Sequence, residues 1–315
     1  MKAANITHGD DPDGLICGAL LKRLFGADVI PANYDTLESA LSSISVDVDQ
    51  LFITDINLRE ALLVLIEQIA KHASITIIDH HPYTQELTHT LVNLGIKIIH
   101  DTRDCASILV YDAFKEELDQ NAAREAVYAS ISDMFEDGPI ASRILDRMDR
   151  KFAQHEALLL NHSLSSNQSD SFKARLVEEL SKYTYPHRIP GVVESAVTHL
   201  EHVVAVRVEV QSRAVKRGRW AYMLCTDEEL STGEMANVIM DTLGVEVGVA
   251  YKLNGGWVNV SLRGERRLQE NLGEIARDVA HRHGGFGGGH GRASGAKIPE
   301  TELESFIEEI ESMFS

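Results

Sequence analysis

The stretch "ANITHGDDPDGLICGALLKRLFG", residues 4–26, opens as a short apolar run, breaks into His8 and three aspartates, and continues with helical spacing to Gly26. A strand that ends in charged residues and turns at once into a helix is the opening unit of an α/β fold. The same grammar recurs downstream. "LFITD" (51–55) precedes the helical "LREALLVLIEQIAKHA" (58–73), and "ITIIDHH" (75–81) and "IKIIHD" (96–101) follow as further strand-like runs. The expectation is an N-terminal parallel sheet with helices on both faces. Its strands are continuously apolar rather than alternating, as a sheet covered on both sides requires. Ligands of such sheets sit beyond the carboxyl ends of the strands. His8, Asp10, Asp11, Asp13, Asp55, Asp79, His80 and His81 are therefore expected to converge there.

Residues 105–180 read as mostly helical. Within them "NAAREAVYASISDMFED" (121–137) places Asp133 just past an apolar stripe. The prolines and glycine of "YTYPHRIPG" (183–191) mark a linker. After a helical stretch come three strand-like runs, "RWAYMLCT" (219–226), "VEVGVAYKL" (245–253) and "GWVNVSLR" (256–263), the last two joined by an "NGG" turn (254–256). The expected division is a catalytic, metal-binding domain over 1–185, a linker over 186–197, and a smaller α+β substrate-binding domain over 198–315. No internal repeat is visible.

The chain has 315 residues and a formal net charge of −18. A strongly acidic protein is ill suited to coating long nucleic acid, because like charge opposes the phosphate attraction that dominates such binding. No apolar run approaches the roughly 20 residues that cross a bilayer, so no membrane partner is expected. Three separated cysteines and no secretory leader fit a reducing cytoplasm. The charge is unevenly spread. Residues 258–298 carry seven Lys/Arg against four acids, and "GGFGGGHGRASG" (284–295) lies inside this basic island. Successive glycines let backbone amides approach an anion closely, and His290 and Arg292 add side-chain donors. Arg263, at the end of a strand, can fork a phosphate.

Carboxylates gathered at one sheet edge repel one another unless a cation neutralises them. Oxygen donors mixed with imidazole suit Mn2+, with Mg2+ or Co2+ as alternatives, and the donors suffice for two ions. Two neighbouring metals are a common means of hydrolysing phosphate esters.

Taken together, "HGDDPDG", "TD", "IIDHH", "SDM" (132–134) and the C-terminal "VSLRG…GGGHGRASG" resemble, in order, the motifs of the DHH phosphoesterase superfamily with its DHH-associated domain. The layout is most similar to oligoribonuclease and RecJ-like phosphodiesterases. The resemblance implies one metal held by His8, Asp11 and Asp55, and a second held by Asp13, Asp55, His80 and Asp133. Asp55 would bridge them and His81 would face the scissile phosphate. Asp79 would orient His80 from behind. The first motif departs from the family pattern, since both Asp10 and Asp11 follow His8 closely. Aligning on Asp-x-Asp-Gly selects Asp11, with Asp10 beside it. In the C-terminal domain, Arg263, Gly288, Gly289, His290 and Arg292 would grip the substrate.

The implied activity is two-metal hydrolysis of short linear oligonucleotides or dinucleotides. A cyclic-dinucleotide phosphodiesterase, a phosphoadenosine-phosphate phosphatase and a RecJ-like exonuclease stand as alternatives, and a non-catalytic nucleotide sensor is the rival from another class. A homodimer is compatible with this reading.

Overall fold

The computed structural model describes residues 1–226 and 230–314. They form two compact units, Met1–His199 and Leu200–Ser315.

In the first unit β1 (Ala3–His8) leads to α1 (Pro12–Phe25), β2 (Asp28–Ala32) and α2 (Leu37–Ser42). Then follow β3 (Gln50–Thr54), α3 (Leu63–Ala70), β4 (Ser74–Asp79), α4 (Gln85–Asn93) and β5 (Lys97–His100). Helices α5 (Ala106–Ala113), α6 (Gln120–Ser132), α7 (Ala141–Leu145), α8 (Arg150–Ser166) and α9 (Asp170–Leu180) complete it. All five strands run parallel, in the order β2-β1-β3-β4-β5. The chain winds one way from β1 to β2 and the other way from β3 onward. The topological switch point thus lies between β1 and β3, and a crevice is expected at their carboxyl ends.

The apolar strands fill both faces. Phe52 and Ile78 pack with Leu15, Leu20 and Tyr128 on one side. Their neighbours Ile53 and Ile77 pack with Leu41, Ile66 and Leu91 on the other. Local chemistry sets the ends of α1. The Asp11 carboxylate accepts the Asp13 amide as an N-cap, Pro12 supplies a preset φ, and Gly26 closes the helix at φ 63°.

The segment from 186 to 197 is built into this unit rather than strung between two. Pro186–Arg188 form one 3-10 turn, and Ile189 and Val192 are buried in the first core. Helix α10 (Val192–Arg213) then runs unbroken through the boundary at His199. The prolines shape a turn here, and the apolar residues between them anchor it.

The second unit holds β6 (Val215–Arg217), β7 (Trp220–Leu224), α11 (Thr232–Leu243), β8 (Val247–Asn254), β9 (Trp257–Gly264), α12 (Leu272–Arg282), β10 (Phe286–Gly289), β11 (Ala293–Pro299) and α13 (Leu303–Phe314). Its sheet has the order β10-β11-β9-β8-β7-β6, antiparallel except for β7 with β8. Gly255 and Gly256 turn the β8–β9 hairpin at φ 58° and 82°. Cys17, Cys105 and Cys225 are buried. Among the described residues no helix is long and apolar enough to cross a membrane.

Candidate metal centre

The carboxyl ends of β1, β3 and β4 and the C-terminus of α6 meet at one point. His8 closes β1, and Asp11 and Asp13 sit at the start of α1. Asp55 follows β3, Asp79 ends β4 with His80 and His81 behind it, and Asp133 caps α6. Three groups of donors lie with their ligand atoms within 4.8 Å of one another: His8–Asp11–Asp55, Asp13–His80–Asp133, and Asp55–Asp79–His80–His81. His8 Nδ1 is 2.9 Å from Asp11 Oδ2 and 3.8 Å from Asp55 Oδ2. His80 Nε2 is 3.2 Å from Asp55 Oδ1 and 3.7 Å from Asp133 Oδ2. Asp55 therefore touches both halves of the cluster.

The electrostatics fit a cation. Asp55 is 3% exposed, and its Oδ2 has no hydrogen-bond partner. Burial, then the charges of Asp13, Asp11, Asp133 and Asp79, hold its carboxyl well above the usual range. Burial, then the charges of Asp13 and Asp11, push Asp133 up to about 8. An enclosed, unpartnered carboxylate oxygen among like charges is costly, and a divalent cation bound by oxygen and imidazole removes that cost. The backbone is also set for the purpose: Asp55 and Met134 adopt φ 55° and 59°, uncommon for residues with side chains.

Each motif residue has a definite station. Asp13, 1% exposed, accepts the amides of Ala106 and Ser107 and so also caps α5. Asp10 turns away, pairing with Lys173 Nζ at 2.9 Å, while its carbonyl accepts from Gln168. Asp11, not Asp10, stands with His8 and Asp55. Asp79 differs from the expectation that it orients His80. Its Oδ1 accepts the backbone amides of His80 and His81 and lies 2.8 Å from His81 Nδ1, so the imidazole it holds is that of His81. The tight turn after β4 brings the second histidine, rather than the first, back over the carboxylate.

Three further residues support the cluster without having been read from the sequence. Tyr83 donates its hydroxyl to Asp79 Oδ2 at 2.7 Å, Phe135 sets its ring edge-on to His80 at 4.9 Å, and Lys173 fixes Asp10. Tyr83 follows Asp79 by four residues and had a local signal. Lys173 lies 163 residues from Asp10 and had none.

In the second unit the glycine-rich segment is not a loose loop. Phe286–Gly289 form the edge strand β10, paired with β11. The glycines serve packing: a Cβ on Gly287 would lie 2.5 Å from the Ala276 carbonyl oxygen, and one on Gly289 (φ 133°) 2.6 Å from that of Ala293. Only bare backbone lets α12 lie this close to β10. Space beside Gly288 is open. His290 and Arg292 form the turn and are exposed. Arg263 pairs in register with Ala293, and the Gly264 amide donates to the Arg292 carbonyl, so Arg263 and this turn share one end of the sheet. Arg263 is held by the carbonyls of Leu262 and Ser294 rather than by a carboxylate, and burial lowers its pKa.

Residues 219–315 match the DHHA1 domain family. The chain carries a DHHA1 domain on a DHH-type fold. Its structure is similar to that titled the DHH domain of a member of the s1p family of ribosomal proteins, with TM-score 0.72 and 16% identity over 98% of this chain and 86% of that one. It is also similar to PggH, a pGpG-specific phosphodiesterase from Vibrio cholerae, with TM-score 0.59 and 13% identity over 100% and 99%. A third likeness is to exonuclease RecJ bound to manganese, with TM-score 0.58 and 15% identity over 99% and 90%. A search of curated proteins finds no match. At these identities the likeness speaks to the fold, and the candidate site stands on its own geometry.

Proposed function

We propose that this chain is a divalent-cation-dependent phosphodiesterase that hydrolyses short linear oligonucleotides or dinucleotides. The observation that carries the reading is the set of interlocking donor groups around Asp55 at the switch point of the sheet. His8, Asp11 and Asp55 would hold one ion, and Asp13, His80 and Asp133, with Asp55 shared, a second. Bound Mn2+ or Mg2+ would supply Lewis acidity and neutralise phosphate charge.

The chain's own groups supply the rest. Asp79 holds His81 through Nδ1, which leaves Nε2 as the ring atom whose N–H could donate to a phosphate oxygen or to the leaving oxygen. The carboxylate of Asp79 then stabilises the imidazolium, and Tyr83 holds that carboxylate in place. In the second unit, Arg263, Gly288, Gly289, His290 and Arg292 are the proposed grip on the substrate's phosphate. The net charge of −18 favours short substrates, because each further phosphate adds repulsion.

A substrate panel with Mn2+ tests this: linear and cyclic dinucleotides, longer RNA, single-stranded DNA, phosphoadenosine phosphate and pyrophosphate. The expected result is fastest turnover of linear dinucleotides, abolished by EDTA and restored by Mn2+. Full activity in EDTA, or preference for long single strands at low salt, would overturn it.

A further inference from the structure

Beside the metal centre stand two residues that none of the motifs includes. Tyr34 sits in the turn after β2, which Asn33 preforms: its side-chain oxygen accepts the amides of Asp35 and Thr36. The Tyr34 ring is 41% exposed, and its centroid lies 6.2 Å from the imidazole of His8. Arg59, from the segment after β3, places its guanidinium carbon 5.3 Å from the centre of that ring. The two loops that meet here flank the switch point on either side of β1.

Several other arginines are matched to acids, as Arg103 is to Asp101, Arg207 to Asp241 and Arg219 to Glu246. Exposed Arg59 has no hydrogen bond or ion pair from its side chain among the described residues, and its contact is the ring of Tyr34. Burial, then the charge of Asp79, raises the Tyr34 pKa, with a backbone hydrogen bond at Asn57 and the charge of Arg59 opposing this. An exposed aromatic face next to an unpaired guanidinium is the pairing that takes a nucleotide, base on the ring and phosphate in the fork.

We infer that Tyr34 and Arg59 form a nucleoside subsite at the rim of the metal centre, with the base stacked on Tyr34 and Arg59 on a non-bridging phosphate oxygen. The inference rests on the phosphodiesterase reading and deepens it. A scissile phosphate at the ligands beside His8 places its own nucleoside against Tyr34. The subsite therefore selects nucleotide esters over inorganic or small alkyl phosphates. It is sequence-tolerant, since every base has a face to stack.

The test compares Tyr34→Leu, Tyr34→Phe and Arg59→Gln with the unaltered protein, using a linear dinucleotide and methyl nitrophenyl phosphate in Mn2+. AMP binding by titration calorimetry is the second readout. Tyr34→Leu and Arg59→Gln should raise KM for the dinucleotide about 5- to 100-fold with kcat little changed. AMP binding should weaken in step. Tyr34→Phe should retain stacking and stay near the unaltered protein, and the small ester, which has no base to stack, should be indifferent to both Tyr34 changes. If the unaltered protein turns over neither ester while Tyr34→Leu still loses AMP, the functional reading fails and the subsite stands. If Tyr34→Leu and Arg59→Gln bind AMP like the unaltered protein, or Tyr34→Leu loses both esters equally, the subsite is overturned.

Discussion

Replacing Glu125 by glutamine should change how the stability of the first unit depends on pH, and the size of the change can be worked from its surroundings. Glu125 lies in α6, wholly buried, with neither carboxylate oxygen hydrogen-bonded. Burial pushes its pKa up to about 8, against the opposing charges of Arg23 and Arg124. Its pKa is thus higher folded than unfolded, where it is near 4.5. Between those two values the native state holds a proton that the unfolded chain has released. Stability is then fully present below about pH 4.5 and falls as pH rises towards 8, by roughly 1.4 kcal/mol per pH unit. The ceiling on the total loss is about 5 kcal/mol, and local relaxation and water entry bring the expected value to about 2–4 kcal/mol. Glutamine cannot ionise and escapes this loss. Glu125→Gln should match the parent near pH 4.5 and exceed it at pH 8–9, raising the melting temperature by roughly 5–15 °C there. The assay is thermal unfolding across pH 4.5–9 in EDTA, so that cations do not contribute. Parallel curves for the two proteins, with no widening gap as pH rises, would refute the reasoning.

Two further outcomes follow from the metal centre. In EDTA, Asp55→Asn should be more stable than the parent, because a buried, repelled carboxylate becomes neutral. Mn2+ at a hundredfold excess over its Kd should stabilise the parent by about 2.7 kcal/mol and the variant by far less, as melting with and without the ion will show. Gly14→Ala should unsettle the whole centre, since a Cβ there would lie 2.0 Å from the His8 carbonyl oxygen. A loss of about 3 kcal/mol is expected by denaturant unfolding, together with weakened Mn2+ binding.

Four strands of the first unit, β1, β3, β4 and β5, were legible because each is an apolar run that stops at His or Asp, whereas β2, short, half-buried and carrying Pro31, was not read. His8, Asp11, Asp55 and His80 could be read as one site for the same reason: strand ends in a parallel sheet share an edge. Asp133 was harder, since it arrives from a helix and its place depends on how α6 packs. The strand within the glycine segment was not legible, because glycine favours no regular element. Its role in β10 depends on how closely α12 approaches, a distance the sequence does not carry. The bond from Asp79 to His81 rather than His80 is a matter of turn geometry within three residues. The turn at 186–197 shows the reverse error, where prolines and glycine outweighed the buried Ile189 and Val192 between them.

The donors of the metal centre come from four places along the chain: residues 8–13, 55, 79–81 and 133. This spacing has a consequence for synthesis. While the chain is being made from its N-terminus, β1, β3 and β4 can pair before α6 exists, and His8, Asp11 and Asp55 can assemble with them. The Asp13–His80–Asp133 group cannot close until α6 has emerged and packed against α1 and α5. On the proposed two-ion reading, filling of the second position would be a late event, reporting that the helical half of the unit has reached its place. A nascent chain halted before Asp133 would display an acidic pocket able to take one ion and unable to hold the pair.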